Sequence, residues 1–313
     1  MKEIRIPSSD GIHNLHVVIW EPEGKVRGVI QISHGMTEMI IRYAHFAEYL
    51  NKKGYVVIGN DHIGHGETAG CDEDLGYFCP KNMSETVVND LHKVTAYAKK
   101  EYQNLPYFLI GHSMGSFMAR RYLMTYGKEL DGAVIVGTGK QPGGALVFGN
   151  MVASIIKCVK GERHRSKLLK AVCFGNYDSR VKAQGAVGNW LTKDEEIVHF
   201  CSTNKYCNFS FTVNGYQTLF EVLTFIQNRR NIEQIPKTLP IFMVAGDEDP
   251  VGNYGKGVQA VYESYKTAGI EDIALKLYKG DRHEILNELD KEQVYADILQ
   301  WIEKRIEKKS IER

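Results

Sequence analysis

Three residue types in this chain stand at spacings suited to acyl transfer. The stretch "GHSMG" from Gly111 sets Ser113 between two glycines. A serine hydroxyl becomes a working nucleophile when a base takes its proton, an acid orients that base, and N–H donors face the oxygen that gains charge. The segment "YKGDRHEILNE" offers His283 as the base, the one histidine of eleven that falls between the last apolar run and the terminal helical pattern. The acid can come from "AGDEDPVG", which holds Asp247, Glu248 and Asp249, with Asp249 biased toward an extended backbone by Pro250. In "SHGMTEM", Gly35 lets the chain turn sharply and point the Met36 N–H back at the serine, so the N–H groups of Met36 and Met114 are the candidate oxyanion donors.

Such a constellation needs elements to hold it. Before Ser113, "YFLI" is a short, wholly apolar run of strand formers; after it, Met114, Phe117, Met118, Tyr122 and Leu123 recur at helical steps until Gly127. The serine therefore sits on a tight strand-to-helix turn, where Gly111 and Gly115 leave room for the bend and the helix N-terminus supplies unpaired N–H groups. Further strands are expected at "HVVIW", "GVIQIS", "YVVIG", "GAVIVG", "PIFMVAG" and "ALKLY", and helices over 41–53, 86–101, 115–126, 253–268 and 287–308. This alternation predicts an α/β fold with a mostly parallel sheet and helices on both faces. From 140 to 236 no strand run occurs, while "GALVFGNMVASIIKCV" and "GYQTLFEVLTFIQNRR" carry helical spacing. The expected organisation is a core over 1–139 and 237–313, with a helical cap inserted at 140–236.

With 313 residues and 43% hydrophobic content, the chain can bury a large core. Lys and Arg total 39 against 38 for Asp and Glu, a net charge of +1, which gives no electrostatic footprint for nucleic acid. The start "MKEIRIPSSDG" lacks the apolar run of a signal peptide, and no uninterrupted apolar stretch reaches the ~18 residues that span a bilayer, so a cytoplasmic protein without a transmembrane segment is expected. Six scattered cysteines without C-x-x-C read as reduced thiols. Composition leaves the oligomeric state open.

The order Ser113, Asp249, His283 is that of hydrolases built on an eight-stranded α/β sheet. The matching segments "HGMTE", "RYAHFAEYL", "GNDHIGHGET", "GHSMG", "GDEDPVG" and "RHEILNE" run along nearly the whole chain. In these the sequence resembles an α/β-hydrolase of the monoacylglycerol lipase and lysophospholipase group. "NWLTKDEE" and "FTVNGY" in the insertion are similar to bacterial members called lysophospholipases. The resemblance selects Asp249, three residues after Gly246, as the acid. It also implies a structural role for His62 and His65 in "DHIGHG", despite their metal-like H-x-x-H spacing, so no metal and no cofactor are expected. Met36 is bulkier than the small residue often found at that position. The expected function is a serine hydrolase cleaving a small or lipid-like carboxylic ester, of monoacylglycerol or lysophospholipid class, through an acyl-enzyme. Leu146, Phe148, Met151 and Ile155 are candidates for an acyl pocket. An aminopeptidase-like amide hydrolase, with Asp194, Glu195 and Glu196 to hold a free amine, and a ligand receptor on a hydrolase scaffold are the alternatives.

Overall fold

The computed structural model describes residues 1–185 and 188–311. Its frame is one sheet of eight strands: β1 (Lys2–Pro7), β2 (Asn14–Trp20), β3 (Gly28–Ser33), β4 (Tyr55–Asn60), β5 (Tyr107–His112), β6 (Gly132–Val136), β7 (Ile241–Gly246) and β8 (Ile273–Tyr278). They lie in the order β1-β2-β4-β3-β5-β6-β7-β8, antiparallel at β1–β2 and β2–β4 and parallel thereafter. The strands β3 to β7 are buried along their whole length, which is why each reads in sequence as an apolar run. The strand β1 escaped the sequence reading, because "KEIRIP" offers only Ile4 and Ile6 between charges and gains its pairing from β2 at the sheet edge.

Successive residues of each strand face opposite ways. On β5, Tyr107 and Leu109 join one core, with Val87, Leu91, Phe117, Met118, Val258 and Val261 from α2 (Met83–Glu101), α3 (Met114–Tyr126) and α10 (Lys256–Thr267). Phe108 and Ile110 join the other, with Phe46, Leu50, Ile298 and Ile302 from α1 (Ala44–Asn51) and α11 (Lys291–Ile311). Each such side chain contributes about 1.5–3 kcal/mol on burial, so the sheet is a stiff platform for the loops at its carboxyl edge. The turns after β3 and β5 meet there, where successive connections leave the sheet in opposite directions.

Between β6 and β7 the described chain runs through α4 (Gly143–Lys160), α5 (Lys167–Phe174), α6 (Ser179–Gln184), α7 (Glu195–Thr203), α8 (Val213–Gln227) and α9 (Arg229–Ile232). Among the described residues, the one helix long and apolar enough by length and composition to cross a membrane is α4, which no uninterrupted apolar stretch marks in the sequence. It has 18 residues, of which only 17% are buried. Gly149, Asn150, Ser154 and Lys157 interrupt its apolar run. It rests on α8 through Leu146, Gly149 and Ala153, and a side chain at Gly149 would press into the Phe220 ring at 2.8 Å.

Candidate active site

Ser113 sits where β5 gives way to α3, with φ 55° and ψ −122°. That left-handed φ is costly for a residue with a side chain and is held by the packing around it. A side chain at Gly115 would run into the carbonyl oxygens of Ser33 and His34, and one at Gly111 would meet the Gly115 carbonyl and Ala119. The two glycines thus let α3 start directly against the end of β3. The tight turn presents the Ser113 hydroxyl to a cavity of about 430 Å³ lined by Met36, Met114, Phe174, Trp190, Phe209 and Tyr216, among others.

The loop after β8 brings His283 Nε2 to 2.7 Å from Ser113 Oγ. On the other side of the ring, Nδ1 lies 3.0 Å from Asp249 Oδ2, a contact bent away from ideal hydrogen-bond direction. Both Asp249 and His283 are buried, and Asp249 Oδ1 accepts the Val251 N–H at 2.8 Å, which fixes the carboxylate. Asp247 turns elsewhere and accepts the Gly280 N–H at 2.7 Å, while Glu248 is partly exposed beside Arg282. Met36 and Met114 line the cavity next to Ser113, and neither donates its N–H to another group among the described residues.

A family model described as serine aminopeptidase, S33, matches residues 24–290. The chain belongs to this family of hydrolases. It is similar to the monoacylglycerol lipase of Mycolicibacterium smegmatis, 26% identical over 297 residues that cover 93% of this chain and 94% of that protein. The human monoglyceride lipase is 25% identical over 291 residues, covering 91% of this chain and 86% of the relative. Among solved structures, a thermostable carboxyl esterase from Bacillus coagulans in complex with glycerol superposes with a TM-score of 0.90 at 30% identity, covering 97% of this chain and 98% of that one.

In this member of the family a buried polar network braces the turn, and only part of it was legible. Glu38 accepts hydrogen bonds from the Gly35 N–H, from Tyr43 Oη at 2.9 Å and from Arg42 at 2.8 Å, and faces His112 Nδ1 at 3.2 Å. Arg42 also forks onto Glu284 at 3.1 and 2.7 Å. One network therefore joins the loop bearing Met36, the residue before Ser113 and the residue after His283. Burial alone would raise the Glu38 carboxyl, but His112 and Arg42 hold it well below the usual carboxylate range. Burial likewise opposes charge on Glu284, and Arg42 outweighs it and lowers that carboxyl. For His112 burial works against the proton, yet Glu38 raises its affinity above the ordinary value. In the sequence, His112 and Glu284 gave no signal beyond their place beside Ser113 and His283.

A second missed role is that of the segment Asn189–Lys193, the start of "NWLTKDEE", against the His283 loop. Glu284 N donates to Leu191 O at 2.7 Å, Arg282 to Asn189 O at 2.9 Å and Lys193 Nζ to Asp281 at 2.8 Å, while the Trp190 ring lies 5.2 Å from that of His283. Of the four acyl-pocket candidates, Leu146 lines the cavity. Phe148, Met151 and Ile155 are corrected: they lie on the opposite side of α4, 54%, 52% and 58% exposed. The helix is apolar nearly all round, so periodicity gave no phase, and the small Gly149 and Ala153 select the face that approaches α8. His62 and His65 have ring centroids 6.3 Å apart and pack with His34. Burial, with His34 nearby, lowers both, His65 to about 3, so they stay neutral inside the fold.

Proposed function

We propose that this protein is a serine hydrolase of small or lipid-like carboxylic esters, of monoacylglycerol or lysophospholipid class. The supporting observation is the succession Asp249, His283, Ser113, with a 2.7 Å Nε2–Oγ contact and a bent 3.0 Å Nδ1–Oδ2 contact, opening into a cavity walled mainly by aromatic and aliphatic side chains. Ser113 Oγ attacks the ester carbonyl while His283 takes its proton, and Asp249 holds the imidazole and balances its charge. The N–H groups of Met36 and Met114 receive the oxyanion; being backbone donors, they are indifferent to the bulk of the Met36 side chain. The alcohol leaves with the proton from His283, and water, activated by the same imidazole, releases the acid. Residues 140–236 act as the cap that supplies the apolar wall.

The amide-hydrolase alternative asks for a carboxylate free to hold an amine. Asp194 caps α7 through the N–H groups of Glu196 and Ile197, and Glu195 and Glu196 are exposed. The carboxylates that line the cavity besides the triad, Glu38 and Glu284, are committed to Arg42. Steady turnover across esters of increasing chain length, monoacylglycerols, lysophospholipids and aminoacyl amides tests the reading. Turnover of the lipid esters supports it; preference for aminoacyl amides, or no turnover of any ester, overturns it in favour of the amidase or the receptor.

A further inference from the structure

The ring of His16 on β2 is buried, and its two nitrogens have different surroundings. Nδ1 lies 2.8 Å from Asp61 Oδ2. That carboxylate is itself fixed, with Oδ1 accepting the Ile40 N–H at 2.7 Å and Oδ2 the Glu67 N–H at 2.9 Å. A neutral His16 thus carries its proton on Nδ1, toward Asp61, and turns the Nε2 lone pair toward the surface. There it meets Glu3 Oε2 of β1 at 3.2 Å and Glu67 Oε2 at 4.0 Å.

The carboxylates of Glu3 and Glu67 thus face Nε2 while Asp61 holds Nδ1, and Arg5 holds Glu67 Oε2 at 2.8 Å. We propose that Glu3, His16 and Glu67 form a binding site for a divalent cation of the zinc class, away from the catalytic cavity. A tetrahedral ion with bonds of about 2.0–2.1 Å sets its ligand atoms about 3.3 Å apart. The Nε2–Glu3 separation of 3.2 Å is already at that edge length, and the three ligand atoms lie within 4.8 Å of one another. Glu3 and Glu67 are half-exposed, so their side chains close the remaining gap by rotating, and water completes the shell. Asp61 is the outer carboxylate that fixes the tautomer and orientation of a metal-binding imidazole. The ligands come from β1, β2 and the short turn Gly66–Thr68, so the ion would tie the edge strand to the loop whose Asp61 holds Ile40. The site is independent of the esterase reading, and no sequence motif announces it, because positions 3, 16 and 67 meet only through strand pairing and the loop after β4.

Arg5 is the native competitor for Glu67, and an exposed pair of this kind is weakly held. Calorimetric titration of the full chain with Zn²⁺ is expected to show one site and a rise in Tm with metal concentration. His16→Gln should abolish both. Because that change also touches buried Asp61, the paired surface variant Glu3→Gln/Glu67→Gln serves as the second test, with binding weakened at least about tenfold at unchanged metal-free Tm. Arg5→Met should tighten binding by freeing Glu67. Absence of binding to wild type, or undiminished binding by the double variant, would overturn the site.

Discussion

At the residue scale, the acids after β7 separate by what their oxygens touch. Asp249 faces His283 and is anchored by Val251 N, whereas Asp247 holds the Gly280 N–H. Asp249→Asn should cut kcat by up to ~10⁴-fold, because the amide favours the wrong imidazole tautomer, and Asp247→Asn should cost less than about tenfold. Steady-state kinetics on folded variants decides, and a reversed ranking would move the acid by two residues. Ser113→Ala should remove covalent labelling by a fluorophosphonate probe and lower ester turnover by several orders of magnitude, since the covalent step then lacks its nucleophile. Labelling that persists in the variant would place the nucleophile elsewhere.

At the element scale, the three loops at the carboxyl edge are held in register by Arg42, whose guanidinium stands between Glu38 and Glu284. Arg42→Met leaves two buried carboxylates without their cation and should destabilise the fold by roughly 3–5 kcal/mol, measurable by denaturant unfolding. Arg42→Lys should recover only part of this, since a point charge cannot reproduce the fork onto Glu284. The helix α4 presents Phe148, Met151 and Ile155 outward while Leu146, on its inner face, lines the cavity. If the proposed lipid ester is the substrate, this exposed apolar face is the expected point of contact with its dispersed phase. Phe148→Ser with Met151→Gln should change stability by less than about 0.5 kcal/mol for each site. The same pair should lower turnover of a dispersed monoacylglycerol several-fold relative to a short, water-soluble ester. Equal loss on both substrates would remove α4 from lipid access.

For the whole molecule, buried histidines and carboxylates make stability depend on pH in a definite direction. His62 and His65 are held neutral, below the unfolded value near ~6.5, so the unfolded chain binds more protons at acid pH. Their stabilisation is complete above that value and is lost as pH falls, each histidine adding up to about 1.4 kcal/mol per pH unit. Glu38 and Glu284, lowered in the fold, add a further loss below about 4.3. His34, lowered by burial, adds to the loss at acid pH, whereas His112 and His16 have the opposite sign: their raised affinity contributes below the unfolded value and is lost as pH rises through the folded one. Tm should therefore decline from pH 7 toward pH 5, and His65→Gln should make that slope shallower whatever its effect on Tm itself. A wild-type Tm that is flat over this interval would contradict the assignment.

Sequence alone determined whatever depends on local pattern: the buried strands β3 to β7, the strand–turn–helix at Ser113, and the loop positions of Asp249 and His283. Those features follow from apolar runs, helical spacing and glycine or proline at fixed offsets, which neighbouring residues impose on one another. Tertiary structure decided what depends on which distant groups meet. The strand β1 exists because β2 offers it an edge, and the 2.7 Å Ser113–His283 contact spans 170 positions of chain. The phase of α4 came from the close approach that Gly149 permits against Phe220. The grip of Asn189–Lys193 on the His283 loop, and the convergence of Glu3 and Glu67 on His16, likewise belong to no local pattern. Burial and charge at such meetings are properties of the packed whole, because desolvation and Coulomb interaction are fixed by distance in space and not by separation along the chain.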